Sequence, residues 1–244
     1  GEIACTGTMQ VGTASGGGTL EMDASAATDP TNQQYRIKFS AVASIFKTRG
    51  TTGSHSIVRS NSGGGKAYFE GAGGGGGGMF DLQWCDFLRI GDATNDCFAA
   101  NDTANPGGAT TYYTVTDCTF TTCGRLSIAT APANVGYDVQ RAKFITTAHA
   151  TESARITGST PGGGVTRNLA DCAFDKIAYI APGSQNISGC MFGGNIDHAN
   201  TGAWNDITGC VFWSDEIGSG GPILRGNMTD CYFWAGGTDN PHFP

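Results

Sequence analysis

Seven times along this chain an aliphatic residue or methionine is followed three positions later by cysteine or alanine and five positions later by phenylalanine. The copies are Leu82/Cys85/Phe87, Val115/Cys118/Phe120, Val139/Ala142/Phe144, Leu169/Cys172/Phe174, Ile187/Cys190/Phe192, Ile207/Cys210/Phe212 and Met228/Cys231/Phe233. The small residues recur at steps of 33, 24, 30, 18, 20 and 21. Ala67/Phe69 and Ile37/Phe39 read as weaker copies that extend the series toward the N-terminus.

The small residue and the phenylalanine, two apart, share one face of a strand, and the residue between them faces the other way. Before the strand stands Asp117, Asp171, Gly189, Gly209 or Asp230, residue types suited to a corner with unusual backbone angles. The aliphatic residue ahead of the corner ends the previous short strand and also points inward. A unit of about 18 to 24 residues with inward strands and corners describes a coil of a parallel solenoid, stacked on the next at about 4.8 Å. Equivalent side chains then form a thiol ladder, a phenylalanine ladder and an aliphatic ladder. The longer steps are coils that carry surface loops.

The repeat resembles that of the right-handed parallel β-helix, the pectate-lyase-like solenoid superfamily, whose coils read roughly N-x-I-x-(D/G)-(C/N)-x-F. Asn168, Asn186 and Asn227 precede the aliphatic position as in that family. The match is close over about 82–234 and poor over 37–81. It implies an all-β, single-stranded right-handed β-helix of about eight to nine coils with an N-terminal cap or arm. The expected organisation is an arm or cap at 1–34, the helix at 35–234 and a lid at 235–244, closed with the help of Trp234, Pro241 and Phe243. Composition agrees: 39 glycines and only 14% charged residues suit short strands and turns, not helices rich in Ala, Leu, Glu and Lys.

Nine cysteines preclude complete internal pairing. Three readings compete for the series Cys85, Cys118, Cys172, Cys190, Cys210 and Cys231. A disulfide between in-register coils requires distortion. A zinc site needs clustered ligands, and neither Cys118/Cys123 nor Cys85/Cys97 adjoins a histidine. Ala142 in the same position suits packing and not ligation. The favoured reading is a ladder of reduced, buried thiols in a chain made in a cytoplasm, with no metal and no cofactor.

Other segments read as follows. Tyr35, Ile37 and Phe39 alternate as a strand, while Val42, Ile45 and Phe46 have the spacing of a helical turn. Asp29-Pro30 has the form of a helix start. The run Gly73–Gly78 reads as a surface loop, or else as a close contact with a neighbouring chain. No apolar run approaches the ~20 residues of a membrane helix, and no signal peptide is visible. A net charge of −7 without basic clusters argues against nucleic-acid binding. Three N-x-(S/T) sequons, at Asn101, Asn186 and Asn227, read as chance matches.

Candidate chemistry lies on the outward positions. His55, His149, His198 and His242 have no metal spacing and read as surface or loop residues. Asp215 and Glu216, beside Trp213, are the candidate catalytic carboxylates of a glycan-cleaving enzyme, with Asp175 and Asp81 further off; as residues of a polar corner they need no such role. The more informative set is apolar. Between the small residue and Phe stand Asp86, Thr119, Lys143 and Ala173, then Met191, Val211 and Tyr232; after Phe come Leu88, Thr121, Ile145 and Asp175, then Gly193, Trp213 and Trp234. Polarity falls toward the C-terminal end, and Met191, Val211, Trp213, Tyr232 and Trp234 form a candidate binding surface. It could receive copies of the same chain, a sugar, or the chain's own segment 145–167.

The resemblance is strongest to β-helix proteins of bacteriophage virions. It implies a non-enzymatic structural or assembly protein, decorating a capsid or attached to a tail, that associates as a homotrimer and meets a major capsid or tail protein. Its expected location is the virion, assembled in the host cytoplasm. The alternative is a polysaccharide lyase, a glycoside hydrolase or a glycan-binding protein such as a tailspike, secreted or at a cell surface.

Overall fold

The computed structural model of the chain describes residues 2–22, 34–39, 44–61, 66–71, 79–94, 96–100, 110–131, 135–158, 167–180, 186–193, 196–197, 206–213 and 227–233. These residues are all-β, with no helix among them, and the strands pair in parallel. Antiparallel contacts are confined to the isolated bridges Thr13–Gly16 and Thr51–Ser54.

The pairing forms three ladders. The first contains Glu2–Cys5, Gln34–Phe39, Lys66–Gly71, Phe98–Ala100, Leu126–Ala131, Glu152–Gly158, Ile177–Ile180 and Ile196–Asp197, in that order. The second runs through Thr8–Val11, Ile45–Thr48, the first halves of Met79–Leu88 and Thr110–Thr121, then Val135–Gln140, Arg167–Ala170, Asn186–Ser188, Asp206–Thr208 and Met228–Thr229. The third runs through Thr19–Met22, Ser56–Ser60, the second halves of the same two long strands, then Lys143–Ile145, Ala173–Phe174, Met191–Phe192, Val211–Phe212 and Tyr232–Phe233. One passage through the ladders makes a rung.

The repeat sets the register. Val115 pairs with Leu82, Cys118 with Cys85 and Phe120 with Phe87. In-register parallel pairing places like on like, so the phenylalanines stack face to face. From Phe87 through Phe120, Phe144, Phe174, Phe192 and Phe212 to Phe233, successive centroids are 4.8 to 5.4 Å apart and the planes differ by 6° to 15°. That spacing is the strand separation itself. The aliphatic residues from Leu82 to Ile207, the small residues from Cys85 to Cys210 and the phenylalanines from Phe87 to Phe212 are buried, while Met228, Cys231 and Phe233 are partly covered.

The N-terminal third corrects three expectations. Ala67/Phe69 and Ile37/Phe39 are not copies of the Cys–Phe strand. They lie in the first ladder, where Ile37 pairs with Phe69 and Phe69 with Phe98. The Phe69 and Phe98 rings stack at 4.7 Å, and Phe46 lies 4.3 Å from Phe69. The true continuation of the series is Thr48/Ser56/Val58, which pairs with Leu82/Cys85/Phe87. Beyond it, Val11 pairs with Thr48 and Leu20 with Val58. Residues 2–22 therefore form a rung, not an arm or cap. The helical spacing of Ile45 and Phe46 is overridden as well: both lie in the strand Ile45–Thr48, with the Phe46 ring in the core. Val42, Asp29-Pro30, the Gly73–Gly78 run and the segment 235–244 lie outside the described residues.

The corners between second and third ladders take left-handed backbone angles. The φ values of Asp117, Asp171 and Asp230 are 54°, and those of Gly189 and Gly209 are 62° and 63°. Trp84 at 52° and Arg141 at 51° occupy the same place, which residue type alone did not indicate. Each non-glycine residue there costs about 1 kcal/mol. The thiol that follows serves the corner. Cys172, Cys190, Cys210 and Cys231 each have the carbonyl two residues back within 3.2 to 3.5 Å of sulfur. Each also faces the carbonyl of the aliphatic residue in the preceding rung, Val139, Leu169, Ile187 or Ile207, at 3.5 to 4.0 Å. The Ser56 hydroxyl obeys the same rule, donating to Val11 O at 3.2 Å. Cysteine thus combines apolar burial with a weak donor aimed at corner carbonyls. Ala142 fills the position without the donor.

The two ladders should differ in energetic weight. Phe144→Ala is expected to lower the unfolding free energy by about 3–5 kcal/mol, and Cys190→Ala by about 1–2 kcal/mol. Urea unfolding followed by circular dichroism reads both, and equal losses would contradict the assignment.

Candidate functional site

The register orders the outward residues of the third ladder into one row: Thr19, Ile57, Asp86, Thr119, Lys143, Ala173, Met191, Val211 and Tyr232. Toward the N-terminal end the row and its neighbours carry paired charges. His55 Nδ1 is 3.1 Å from Asp86, Arg59 is 2.6 Å from Glu21, and Arg49 binds Asp81. Toward the C-terminal end the row becomes apolar. Met191 is 49% exposed, Tyr232 and Trp213 are each 55% exposed, and Val211 is half-buried between Met191 and Tyr232.

Of the predicted surface, the fold brings Met191, Val211, Trp213 and Tyr232 together. Trp234 lies outside the described residues, as do the candidate carboxylates Asp215 and Glu216 and the histidines His198 and His242. The described part of segment 145–167 leads elsewhere: residues 146–151 turn a corner, and Glu152–Gly158 enters the first ladder.

All nine cysteines are free thiols. Burial pushes Cys118 and Cys123 up to about 12. Cys190 is held at about 12 by its hydrogen bond with Cys172 and by burial. Such thiols carry almost no thiolate at neutral pH and are poor nucleophiles and ligands. Among the described residues no group of three His, Cys, Asp or Glu is arranged to hold a metal ion.

A second cluster was not foreseen. After the third ladder the chain turns toward the first, and there charged side chains from successive rungs converge. Arg125 Nε donates to Asp96 Oδ1, and Arg125 Nη1 donates to Glu152 Oε2 at 3.0 Å. Arg155 Nε also donates to Glu152 Oε2, at 2.8 Å. In the next layer Asp175 accepts from the Thr147 backbone N–H at 2.6 Å and from the Ser153 hydroxyl at 2.8 Å. His149, expected at the surface or in a loop, does lie in the corner between strands, but it is only 8% exposed.

Burial pushes the Asp96 carboxyl above its ordinary range even beside Arg125. Burial acts in the same sense on Glu152, but the Arg155 and Arg125 guanidiniums outweigh it and hold that carboxyl low. Split carboxylates of this kind can serve as acid and base. Here both are already bound to one guanidinium, with side chains only 15% and 9% exposed, so the arrangement works as a clamp between rungs. The sequence signal was indirect: the step of 30 from Ala142 to Cys172 marks a rung with added chain. The charges themselves resemble an ordinary solvated corner.

Comparison with protein-family models, curated proteins and solved structures finds no match to this chain.

Two outcomes are expected. Arg125→Met leaves the partly buried Asp96 without its guanidinium and Glu152 with Arg155 alone, and should cost about 3 kcal/mol in urea unfolding at neutral pH; a loss no larger than that of an exposed Arg would contradict the clamp. In the native protein at mildly alkaline pH, a thiol reagent should label only the half-buried Cys5 and Cys231. Rapid labelling of the other thiols, read by mass spectrometry, would contradict their burial.

Proposed function

We propose that the three ladders are the faces of a right-handed parallel β-helix of eight to nine coils, and that this solenoid is a structural component which associates with copies of itself. The observation that carries this reading is the change along one outward row, from Asp86 and Lys143 to Met191, Val211 and Tyr232. In a symmetric assembly about an axis along the stack, a row that lines the axis meets its own copies. Rows of Asp86 or Lys143 would bring like charges together, whereas the uncharged C-terminal part of the row can be buried with Trp213 beside it. A trimer is the proposed state. The proposed setting is a bacteriophage virion, as a capsid-decorating or tail-associated protein against a major capsid or tail protein, and it rests on the resemblance of the repeat.

A second reading is favoured by one observation: Trp213 and Tyr232 expose aromatic rings on adjacent rungs, with the exposed hydroxyls of Thr208 and Thr229 nearby in sequence. Such rings stack on the apolar faces of sugars, and a glycan-binding or glycan-cleaving protein would use them so.

Sedimentation velocity separates the readings. A trimer is expected, and Met191→Glu with Tyr232→Glu should yield monomers with an unchanged circular dichroism spectrum. A native chain that sediments as a monomer would overturn self-association. Quenching of tryptophan fluorescence by an oligosaccharide, lost in Trp213→Ala, would favour the glycan reading instead.

A further inference from the structure

Residues 146–151 do more than turn the chain. Ala148 N donates to Cys123 O at 2.7 Å and Ala150 N donates to Ala93 O at 3.0 Å, so the corner leans back onto earlier rungs. From the following rung Lys176 Nζ donates to His149 O at 2.6 Å. At the centre is the His149 ring. Its Nδ1 accepts from the backbone N–H groups of Thr151 at 3.3 Å and Glu152 at 3.1 Å, at the start of the strand Glu152–Gly158. Only an unprotonated ring nitrogen can do this; a proton on Nδ1 would point at two donors.

We propose that this corner is an acid-released clasp: protonation of His149 at Nδ1 detaches residues 146–151 from the strand start they cap and loosens the adjoining Asp96–Arg125–Glu152 cluster. The charged groups around the ring come from every neighbouring rung. Arg125 and Asp96 lie on the earlier side and Lys176 on the later side, with Glu152 on the ring's own rung. Arg155 is bound to Glu152, and Asp175 is bound to Thr147 within the corner.

Burial, then Arg125, hold the imidazole below its ordinary 6.5; Lys176 acts the same way, and Glu152 and Asp96 oppose without reversing the balance. A depressed histidine means that the open corner binds a proton which the closed corner refuses. The closed form is therefore favoured above the ordinary value and loses ground as pH falls below it. The open population rises by up to about tenfold per pH unit through that window. Glu152, held low, acts in the same direction but only below its ordinary 4.5. Asp96, held above its ordinary 3.8, acts in the opposite direction and brakes the release at its acidic end.

Hydrogen exchange read by mass spectrometry tests the clasp. Going from about pH 8 to about pH 5.5, after correction for intrinsic rates, amides in 146–152 should lose protection by up to about tenfold, while those in 115–120 keep theirs. His149→Asn places an acceptor oxygen where Nδ1 lies but takes no proton, so its protection should not change over this range. Equal wild-type protection at both pH values, or the same loss in His149→Asn, would overturn the proposal. If the variant does not fold, the native chain still decides: its His149 ring proton should titrate below 6.5 by NMR, and titration at or above that value overturns the clasp.

Discussion

The structure depends on in-register stacking. Parallel strands about 4.8 Å apart bring each side chain onto its equivalent in the next rung. A position must therefore suit its own kind, repeated. Phenylalanine does so through planes 6° to 15° from parallel. A buried charge repeated at that spacing would not, and the inward positions of the series are correspondingly uncharged from Leu82 to Phe233. On the outside the same constraint produces mixed pairs. Asn168 donates to Asp138 at 2.8 Å, Arg141 to Asp117 at 2.6 Å, and Asn227 to Asp206 at 3.3 Å, each across neighbouring rungs.

The cysteines follow from that geometry and not from redox chemistry. A left-handed corner turns a carbonyl toward the interior, and a small residue with a weak donor can meet it without demanding solvent. Serine does this at Ser56, where the ladder lies next to polar Thr48. Alanine tolerates the place at Ala142. Glycine at two corners has separate grounds. A Cβ on Gly189 would come within 2.2 Å of the Asp171 carboxylate, whereas at Gly209 the nearest atom is 4.0 Å away. Only the backbone angle favours glycine at Gly209.

Spacing made the fold legible from Leu82 onward because each corner there is one residue long. It failed earlier for a local reason. In the rung of Thr48, Ser56 and Val58 the corner is replaced by an excursion closed by the Thr51–Ser54 bridge, and the first rung carries its counterpart at Thr13–Gly16. The motif is split, and its residues are Thr, Ser and Val instead of Leu, Cys and Phe. Ile37/Phe39 and Ala67/Phe69 then imitate a Cys–Phe strand because any inward pair is two residues apart. The apolar outer surface was readable for Met191, Val211, Trp213 and Tyr232, since alternation assigns them outward. The charged corner was not. Asp96, Arg125, His149 and Glu152 are up to 56 positions apart and have no shared motif; only three-dimensional stacking joins them.

Stacking in register from the first rung to the last is the central claim, and a distance measures it. Nitroxide labels at Ile57 and Tyr232, introduced without using the native thiols, stand on one outward row separated by seven register steps. Double electron–electron resonance should give a narrow distribution centred near about 34 Å, seven times the ~4.8 Å strand spacing. A broad distribution, or a centre displaced by more than one strand spacing after allowance for the label arms, would contradict the account.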